Sequence, residues 1–551
     1  MTKISFHYIL ILLPVLFFSG CTEEFLDIRP IAAQNSGSFY LLQSDAEQAV
    51  TTAYGILNHV AFDKDLLMTL DVFSDDAEAG GEFVNEVPSY ENFNRMLPLT
   101  TAGEIEVVYG VCFRVIYFSN LAMEKIPDIK NLDPNADPAL LDRLVAECKF
   151  LRALSYSYLV KFFGGVPLVD HVLGADEYYL GRTEIKAIYD FIEQDLKEAI
   201  EVLPERSEYG TNNIGRASKG AAKALMARNL LYESSYARNY PGDSRFSGMT
   251  ERWDEAFDYA EQVINSGEYW LPGINGERFH TWRRPETNGY RYEFTSNGDN
   301  SSEGIFEIQC IADGQGWAIA RGNSMTQYIS ARRYIDTLGN PQNSDYWGLD
   351  LPTHSLVDEF EEGDPRLAAS IAIEGGTDSI EIKDGFRFPI SFDKSVTKTY
   401  CTKYECSAAE FKDYNGPWHS APLNIKLIRY ADVLLIASEA AVMLEQNDKA
   451  LEYINQVRTR ARLCGSEGNT TPADLTGTVT LEDIVHERRV ELNLEGHRFL
   501  DLVRWNLAVT YLNHYTIDEY QVVFESPKND FIPLPQHEIN VNPNLQQYPG
   551  W

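Results

Sequence analysis

Apolar side chains recur at helical spacing along most of the chain. In the segment 423–444, Leu427, Ala431 and Leu434 lie on one helical face, and Ala441 continues that face. This periodicity predicts a helix. Equivalent patterns predict further helices over 44–60, 104–126, 140–163, 183–202, 216–235, 252–266, 448–462 and 480–494.

Several predicted helices carry small residues four positions apart, a spacing that lets two helix axes approach closely. The pairs are Gly220 with Ala224, Ala256 with Ala260, and Ala437 with Ala441. The segment WDEAFDYAEQVINSGEY begins like a tetratricopeptide helix pair, but the regular period of about 34 residues is absent. We therefore predict a mainly α fold, a tetratricopeptide-like scaffold of divergent helix pairs interrupted by insertions.

The longest interruption runs from 269 to 421 and is rich in Gly, Asn, Pro and aromatic residues. Within it, EGIFEIQCIADG alternates Phe306, Ile308 and Cys310 with polar neighbours, which predicts a short half-buried strand. Loops of this length on a rigid frame are usually functional or disordered, and disordered segments lack so many aromatic residues. We predict a loop-rich, aromatic-rich subdomain containing short strands.

The N-terminus has the pattern of a bacterial lipoprotein signal. Lys3 precedes an apolar stretch over 9–18 that is too short to span a bilayer, and the small residues Ser19 and Gly20 precede Cys21. We predict that the chain is cut before Cys21 and that its thiol is lipidated, which would hold the body on a membrane surface. The alternative is an ordinary cleaved signal with an incidental cysteine.

These patterns divide the chain into five regions. They are a signal peptide over 1–20, a lipidated tether over 21–40, a helical N-terminal region over 41–268, the inserted subdomain over 269–421, and a C-terminal helical region over 422–551.

The charge and cysteine content exclude several classes of protein. The net charge of −35 would repel phosphate backbones and anionic lipid surfaces, so nucleic acid is excluded as a partner. Neutral ligands are unaffected by this field. The cysteines form no CxxC pair, which excludes a zinc ribbon, while Cys401 and Cys406 either are free thiols or close a small loop.

Catalytic motifs are incomplete. His486 and Glu487 begin a zinc-protease pattern, but Val490 stands where the second histidine is needed. The stretch DPNADPALLDRL has the wrong residues for a calcium loop, and the chain has no Gly-x-Ser-x-Gly elbow or Walker loop. No carboxylate pair stands out for glycoside hydrolysis. We predict no catalytic residues, no cofactor and no enzyme activity.

Arg488 intrudes on the apolar face of the predicted 480–494 helix, which Thr480 and Asp483 begin with a capping-box pattern. A buried arginine needs a carboxylate partner. Candidate partners are Glu487, Glu491, Glu495 and Asp501. We predict a buried ion-pair cluster between helices; the alternative is a ligand-binding arginine.

Several segments together resemble the SusD/RagB family of outer-membrane nutrient-binding lipoproteins, over essentially the whole chain. The C-terminal segments are YINQVRTRARLCG, DIVHERRVELNLEGHRFLDLVRWN and FIPLPQHEINVNPNLQQYPGW. CTEEFLDIRP, RALSYSYLVKFFGGVPLV, KGAAKALMARNLLYE and IRYADVLLIASEA match the family's other landmarks in order. Glu23 and Glu24, just after Cys21, resemble its surface-export signal.

This resemblance implies a protein at the cell surface, anchored in the outer membrane, that sits as a lid on a SusC-like TonB-dependent transporter. It would capture an oligosaccharide, or in some relatives a peptide or glycopeptide, and pass it to the barrel. The alternative is a tetratricopeptide scaffold that binds only proteins. Sugar rings stack on Trp and Tyr side chains, and their hydroxyl groups bond to Asp, Asn and Arg.

The aromatic residues of the insertion are the candidate ligand contacts, because rings on Gly-, Asn- and Asp-flanked loops are less easily explained by packing. One group is Trp282, Tyr290 and Tyr292; a second is Trp317, Tyr346 and Trp347. The resemblance further implies that the loop FSDDAEAGGEFVNEVPSY faces them. Its candidate contacts are Asp75, Asp76 and Tyr90.

Overall fold

A computed structural model describes residues 39–59, 62–83, 85–279, 289–312, 321–383, 386–404, 420–513, 516–517 and 520–551. Helices dominate these residues, which confirms the mainly α, tetratricopeptide-like fold. The N-terminal helices are α1 (Gln43–Leu57), α2 (Phe62–Val72), α3 (Pro88–Asn94), α4 (Gly103–Leu132), α5 (Pro138–Phe163), α6 (Ile185–Val202), α7 (Lys219–Asn239) and α8 (Trp253–Ile264).

Short helices occupy the insertion, and longer ones return in the C-terminal region. They are α9 (Gly289–Glu293), α10 (Met325–Ile329), α11 (His354–Glu359), α12 (Pro365–Ser370), α13 (Tyr430–Met443), α14 (Asn447–Leu463), α15 (Leu481–Glu491), α16 (Arg498–Arg504), α17 (Ala508–Leu512) and α18 (Gln536–Val541).

The long helices pack as successive pairs. Helix α4 lies against α1 and α5, α5 lies against α6, and α7 lies against α8. Helix α13 packs on both α8 and α14. Ala256 and Ala260 on α8 and Ala437 and Ala441 on α13 are all fully buried, as expected for a close helix contact. Gly220 instead makes room for the Tyr269 ring, which would lie 2.6 Å from an added Cβ.

Local sequence explains where the helices begin and end. The Asp137 carboxylate accepts a bond from the Ala139 N–H at the start of α5, and Gly164 ends that helix with φ of 71°. Thr480 and Asp483 form the predicted capping box at the start of α15.

The strands pair only in twos within the described residues. They are β1 (Ala77–Ala79) with β5 (Asp350–Pro352), β2 (Gly304–Ile308) with β10 (Ile425–Arg429), β3 (Arg333–Ile335) with β4 (Pro341–Asn343), β6 (Ile371–Ile373) with β9 (Thr399–Cys401), β7 (Ser379–Lys383) with β8 (Phe386–Pro389), and β11 (Thr516–Ile517) with β12 (Tyr520–Gln521).

Two predictions need correction at the pair β2 and β10. The segment 423–444 is helical only from Tyr430, because residues 425–429 are extended and pair antiparallel with β2, Ile425 opposite Ile308. Strand β2 is buried on both faces, not on one, because Glu307, on the side that we expected to face solvent, is covered by Asn424, whose amide donates to it at 2.8 Å, and by Lys426.

One large apolar core runs through the helices and into the insertion, with members from Ala53 to Tyr548. A smaller cluster around Tyr346 and Tyr400 lies under the short strands of the insertion. Among the described helices, α4 is long and apolar enough to cross a membrane by length and composition, but 56% of that stretch is buried inside the protein. We interpret α4 as a core helix.

Candidate functional site

The loop after β1 is held against the insertion by strand pairing. Ala77 lies opposite Pro352 and Ala79 opposite Asp350, and the Gly80 N–H donates to the Leu349 carbonyl oxygen at 2.9 Å. A Cβ on Gly80 would lie 1.9 Å from the Gly348 carbonyl oxygen, so only glycine fits this close approach. We call residues 78–83 and 85–87 the early loop.

Trp347 lies beside the early loop with its ring partly in solvent, 36% exposed. Its backbone N–H donates to the carbonyl oxygen of Gln327, on α10, at 2.8 Å. Its ring meets the half-buried Tyr328 ring edge to face, with centroids 5.3 Å apart. On α2, the Lys64 Nζ lies 5.0 Å from the Tyr328 centroid, a cation–π contact. Two contacts from α10 therefore orient Trp347, one to its backbone and one to its ring.

Arg332 joins the early loop to the segment that carries Trp347. Its Nε donates to a Glu82 oxygen at 3.2 Å, and its two Nη atoms donate to the Glu86 carboxylate at 2.9 and 3.1 Å. The same guanidinium donates to the Trp347 carbonyl oxygen at 3.1 Å. A planar guanidinium suits such a two-sided carboxylate contact.

Phe83 is the most exposed aromatic ring near this junction, with 64% of its surface in solvent. It borders a cavity of about 270 Å³ between the early loop and residues 393–396. The other lining residues are Glu78, Ala79, Gly80, Gly81, Glu82, Glu91, Asp393, Lys394, Val396 and Ile517. The site thus combines exposed rings with a polar recess, which is the composition of a binding site for an amphipathic ligand.

The charges around Phe83 are largely paired. Glu82 contacts Arg332 and also Lys394, whose Nζ lies 3.1 Å away, and Asp393 pairs with Arg333 at 2.8 Å. Burial raises the pKa of Glu82, but the bond from Lys394 and the charges of Lys394 and Arg332 outweigh it and lower that pKa. Glu82 therefore stays ionised and paired, and the surface suits an uncharged ligand.

Asp75 and Asp76 lie in the core beneath the early loop. Arg498 donates to both Asp75 oxygens at 2.8 and 3.0 Å, and the Arg489 Nε donates to Asp76 at 2.8 Å. Both carboxylates are buried, so they face these arginines and not the surface. Their place in the structure is that of an internal ion-pair network, although we expected ligand contacts here.

The predicted cluster around Arg488 is confirmed, with Asp501 as one of its partners. The Arg488 Nε donates to Asp501 at 2.8 Å and its Nη1 donates to Asp432 at 2.8 Å. Two more buried pairs lie nearby: Arg366 pairs with Glu487, and Arg460 pairs with Glu491. These residues stabilise the contact between the C-terminal helices and the insertion.

Three predicted tyrosines are fully packed, so a ligand would reach them only after neighbouring side chains moved. Tyr90 lies below Lys64, whose Nζ is 5.5 Å from its ring centroid. Tyr346 belongs to the small core under the insertion. The Tyr290 hydroxyl donates to the Glu491 carbonyl oxygen at 3.2 Å, and its ring lies in the main core.

We call Trp347, Phe83 and the cavity beside Phe83 the Trp347 surface. The described contacts do not bring the remaining predicted rings to this surface. Tyr292 is half-buried and stacks on Phe279 with centroids 4.2 Å apart. Trp282 and Trp317 lie outside the described residues. Their contact with a ligand stays a prediction, as does that of Tyr292.

Sequence reasoning missed Phe83, Tyr328, Lys64 and Arg332 at this site. A signal for Phe83 exists, since it follows two glycines and a glutamate in a polar loop where little could bury it. Tyr328 carries no such signal, because its exposure depends on distant residues. Among the described residues, no group of His, Cys, Asp and Glu side chains has the arrangement of a metal site.

A helical-pair scaffold that presents exposed rings beside a polar recess defines a ligand-binding protein. Family models support this class at both ends of the chain. One, described as the SusD family, matches residues 302–551, and another, described as "Starch-binding associating with outer membrane", matches residues 24–231. The chain belongs to the SusD/RagB family.

Individual relatives match over almost their whole length. The chain is 26% identical to a SusD-like protein of Formosa agariphila, with 96% of each chain covered. It is 25% identical to the starch-binding protein SusD of Bacteroides thetaiotaomicron, covering 97% of this chain and 96% of that protein. A solved laminarin-binding SusD-like protein superposes with a TM-score of 0.73 at 25% identity, covering 93% of this chain and all of that one.

Proposed function

We propose that this protein is a cell-surface lipoprotein of the outer membrane that binds an oligosaccharide and delivers it to a SusC-like TonB-dependent transporter. The observation that carries the proposal is a pair of exposed rings at the early loop: Phe83 lines its polar cavity, and Trp347 is joined to Glu82 and Glu86 of that loop through Arg332. The C–H face of a sugar ring stacks on such rings, while its hydroxyl groups bond to nearby carboxylate and amide groups.

Relatives support a saccharide as the ligand. Two of them are named for the glucan that they bind: one is a starch-binding protein and the other is a laminarin-binding protein. The paired charges around Glu82 agree with an uncharged saccharide at the Trp347 surface. The proposed role is capture, with no chemical change to the ligand.

The anchor and the partner are proposed from the sequence. Cys21 follows a lipoprotein-type signal, and the model that matches residues 24–231 is described as associating with the outer membrane. A lid on a barrel mouth needs a wide contact surface, and standard interfaces bury about 1,600 Å². We therefore expect a transporter complex that survives mild detergent.

Affinity electrophoresis of the mature protein through gels containing polysaccharides tests the ligand class. We expect retardation by at least one neutral glycan and none in an empty gel. A peptide library measured in parallel tests the peptide alternative. Binding to a transporter together with no binding to any glycan or peptide would contradict capture and favour a protein scaffold.

A further inference from the structure

A second cleft lies on another part of the molecule, along strand β2. It consists of two adjoining cavities of about 370 and 230 Å³. The larger lies between the end of α1 and β2, and the smaller lies between residues 206–209 and Asn300. They share a wall of Ile214, Gly215, Arg216, Phe306 and Glu307, and none of their lining residues lines the cavity beside Phe83.

The two sites differ in charge. Arg206, Arg216 and Arg321 line the second cleft, and among the described residues its one lining carboxylate is Glu307, which is buried and lies 3.7 Å from the Lys426 Nζ. The described lining of the cavity beside Phe83 contains Glu78, Glu82, Glu91 and Asp393, with Lys394 as its one cation. A cationic lining is unusual in a chain with a net charge of −35.

Two of these arginines are held in place by the protein. Arg216 donates to Glu147 at 2.7 Å and to the Thr51 hydroxyl at 3.1 Å, and Glu147 also pairs with Arg143 at 3.1 Å. One carboxylate therefore serves two guanidinium groups, and these contacts fix the Arg216 guanidinium at the wall.

Arg206 donates to the carbonyl oxygens of Gly304, at 3.3 Å, and Asn300. Glu205 and Glu208 flank it on its turn but do not line the cleft. These bonds use two of the five N–H donors of the guanidinium, and pre-positioned guanidinium groups suit carboxylate and sulfate oxygens.

Apolar side chains stand beside these cations. Ile214 is 56% exposed on the shared wall, and Ile311 is 48% exposed in the larger cavity. The Tyr54 ring lies under Arg216, with its centroid 5.7 Å from the guanidinium carbon. An apolar face beside fixed cations fits a sugar ring that carries an acidic group.

We propose that this cleft is a second binding site, which takes a saccharide bearing a carboxylate or sulfate group. The inference rests on the proposed function in taking a saccharide as the ligand. The chemistry recognised is the anionic substituent together with the C–H face of the ring.

The test compares two variants of one exposed position by isothermal titration calorimetry of the full mature protein at low salt. Ile214→Asp places a negative charge on the shared wall. Ile214→Asn is the control, because the asparagine side chain has nearly the shape of aspartate but no charge. The probes are tetragalacturonate, a sulfated galactan tetrasaccharide and neutral cellotetraose. Comparing the first two distinguishes a carboxylate from a sulfate.

We expect wild type to bind at least one acidic probe. Ile214→Asp should weaken that binding about tenfold more than Ile214→Asn, a difference that shrinks as salt rises because the interaction is electrostatic. Trp347→Ala should leave the affinity for the acidic probe unchanged. Equal effects of Asp and Asn, no binding of either acidic probe, or loss of acidic binding in Trp347→Ala would overturn the proposal.

The two proposals fail differently. Neutral-glycan binding that Trp347→Ala weakens, without any acidic-saccharide binding, would overturn the second site and leave the proposed function intact. Failure of wild type to bind any neutral glycan in the electrophoresis panel would count against the proposed function itself. Equal melting temperatures for the two Ile214 variants are the folding control.

Discussion

Neighbouring residues 346 and 347 have opposite environments. Tyr346 enters the small core with Tyr400, while Trp347 faces outward against Tyr328. Successive side chains can point to opposite sides of the chain, so one of two adjacent rings can be buried while the other is exposed. Which one depends on strand pairing and packing elsewhere in the insertion, and the local sequence does not contain that information. This is why both rings were candidates before the fold was known.

Asp350 gives a residue-scale prediction of pH dependence. It is fully buried at the start of β5, and neither of its oxygens has a hydrogen-bond partner among the described residues. Burial, with a smaller contribution from the charge of Asp76, raises the pKa of Asp350 to about 8. In the unfolded chain an aspartate ionises near pH 4. Between these two pH values the unfolded state binds fewer protons, so Asp350 lowers stability as pH rises.

Replacing Asp350→Asn should therefore stabilise the protein more at pH 8 than at pH 5. The expected gain relative to wild type grows by on the order of 1 kcal/mol per pH unit. Chemical unfolding at several pH values measures it, with the exposed Asp345→Asn as the matched control. A difference between Asp350→Asn and wild type that is independent of pH would contradict this assignment.

At the scale of elements, periodicity predicted the long helices well and the short elements poorly. The predicted helix over 448–462 is observed as Asn447–Leu463, because its apolar positions repeat over many turns. The helix Phe62–Val72 was missed, since its acidic first turn obscures the pattern. Strand β10 was assigned to a helix because IKLIR runs directly into a longer apolar segment.

The pairing of α15 with the segment just before the early loop was not predictable from spacing. Arg489 bonds to Asp76 across 413 positions of sequence, so the helix supplies the counter-charge for a loop at the other end of the chain. Sequence analysis identified both charged clusters but not that they meet. The ligand role expected for the two aspartates came from the family resemblance of their loop, and it stays a prediction.

Breaking this contact should destabilise the whole protein. Arg489→Met leaves the buried Asp75 and Asp76 without one of their cations, which typically costs about 3–5 kcal/mol. The exposed pair of Lys130 with Asp142 is the matched control, and Lys130→Met should cost less than about 1 kcal/mol. Thermal and chemical unfolding measure both. Similar losses for the two variants would contradict the importance of the buried network.

At the scale of the whole molecule, surface location is the first prediction. Cys21→Ala removes the thiol that we expect to carry the lipid, so the protein should leave the outer membrane and appear in the soluble fraction. Fractionation with detergent extraction measures this, and Cys112→Ala, which changes a buried core cysteine, is the control. A Cys21→Ala protein that still resists extraction from the membrane would contradict the anchor.

The central claim is that the Trp347 surface binds a saccharide, and titration calorimetry with the best glycan of the electrophoresis panel tests it most directly. Stacked rings at such sites often contribute about 2 kcal/mol, about thirtyfold in affinity. Trp347→Ala should weaken binding at least about tenfold, and Phe83→Ala should also weaken it. Trp270→Ala, which removes an exposed ring on a residue whose backbone N–H donates to Ser302 and not to α10 or the early loop, should bind as wild type does. Unchanged binding by both Trp347→Ala and Phe83→Ala, with melting temperatures equal to wild type, would contradict the claim.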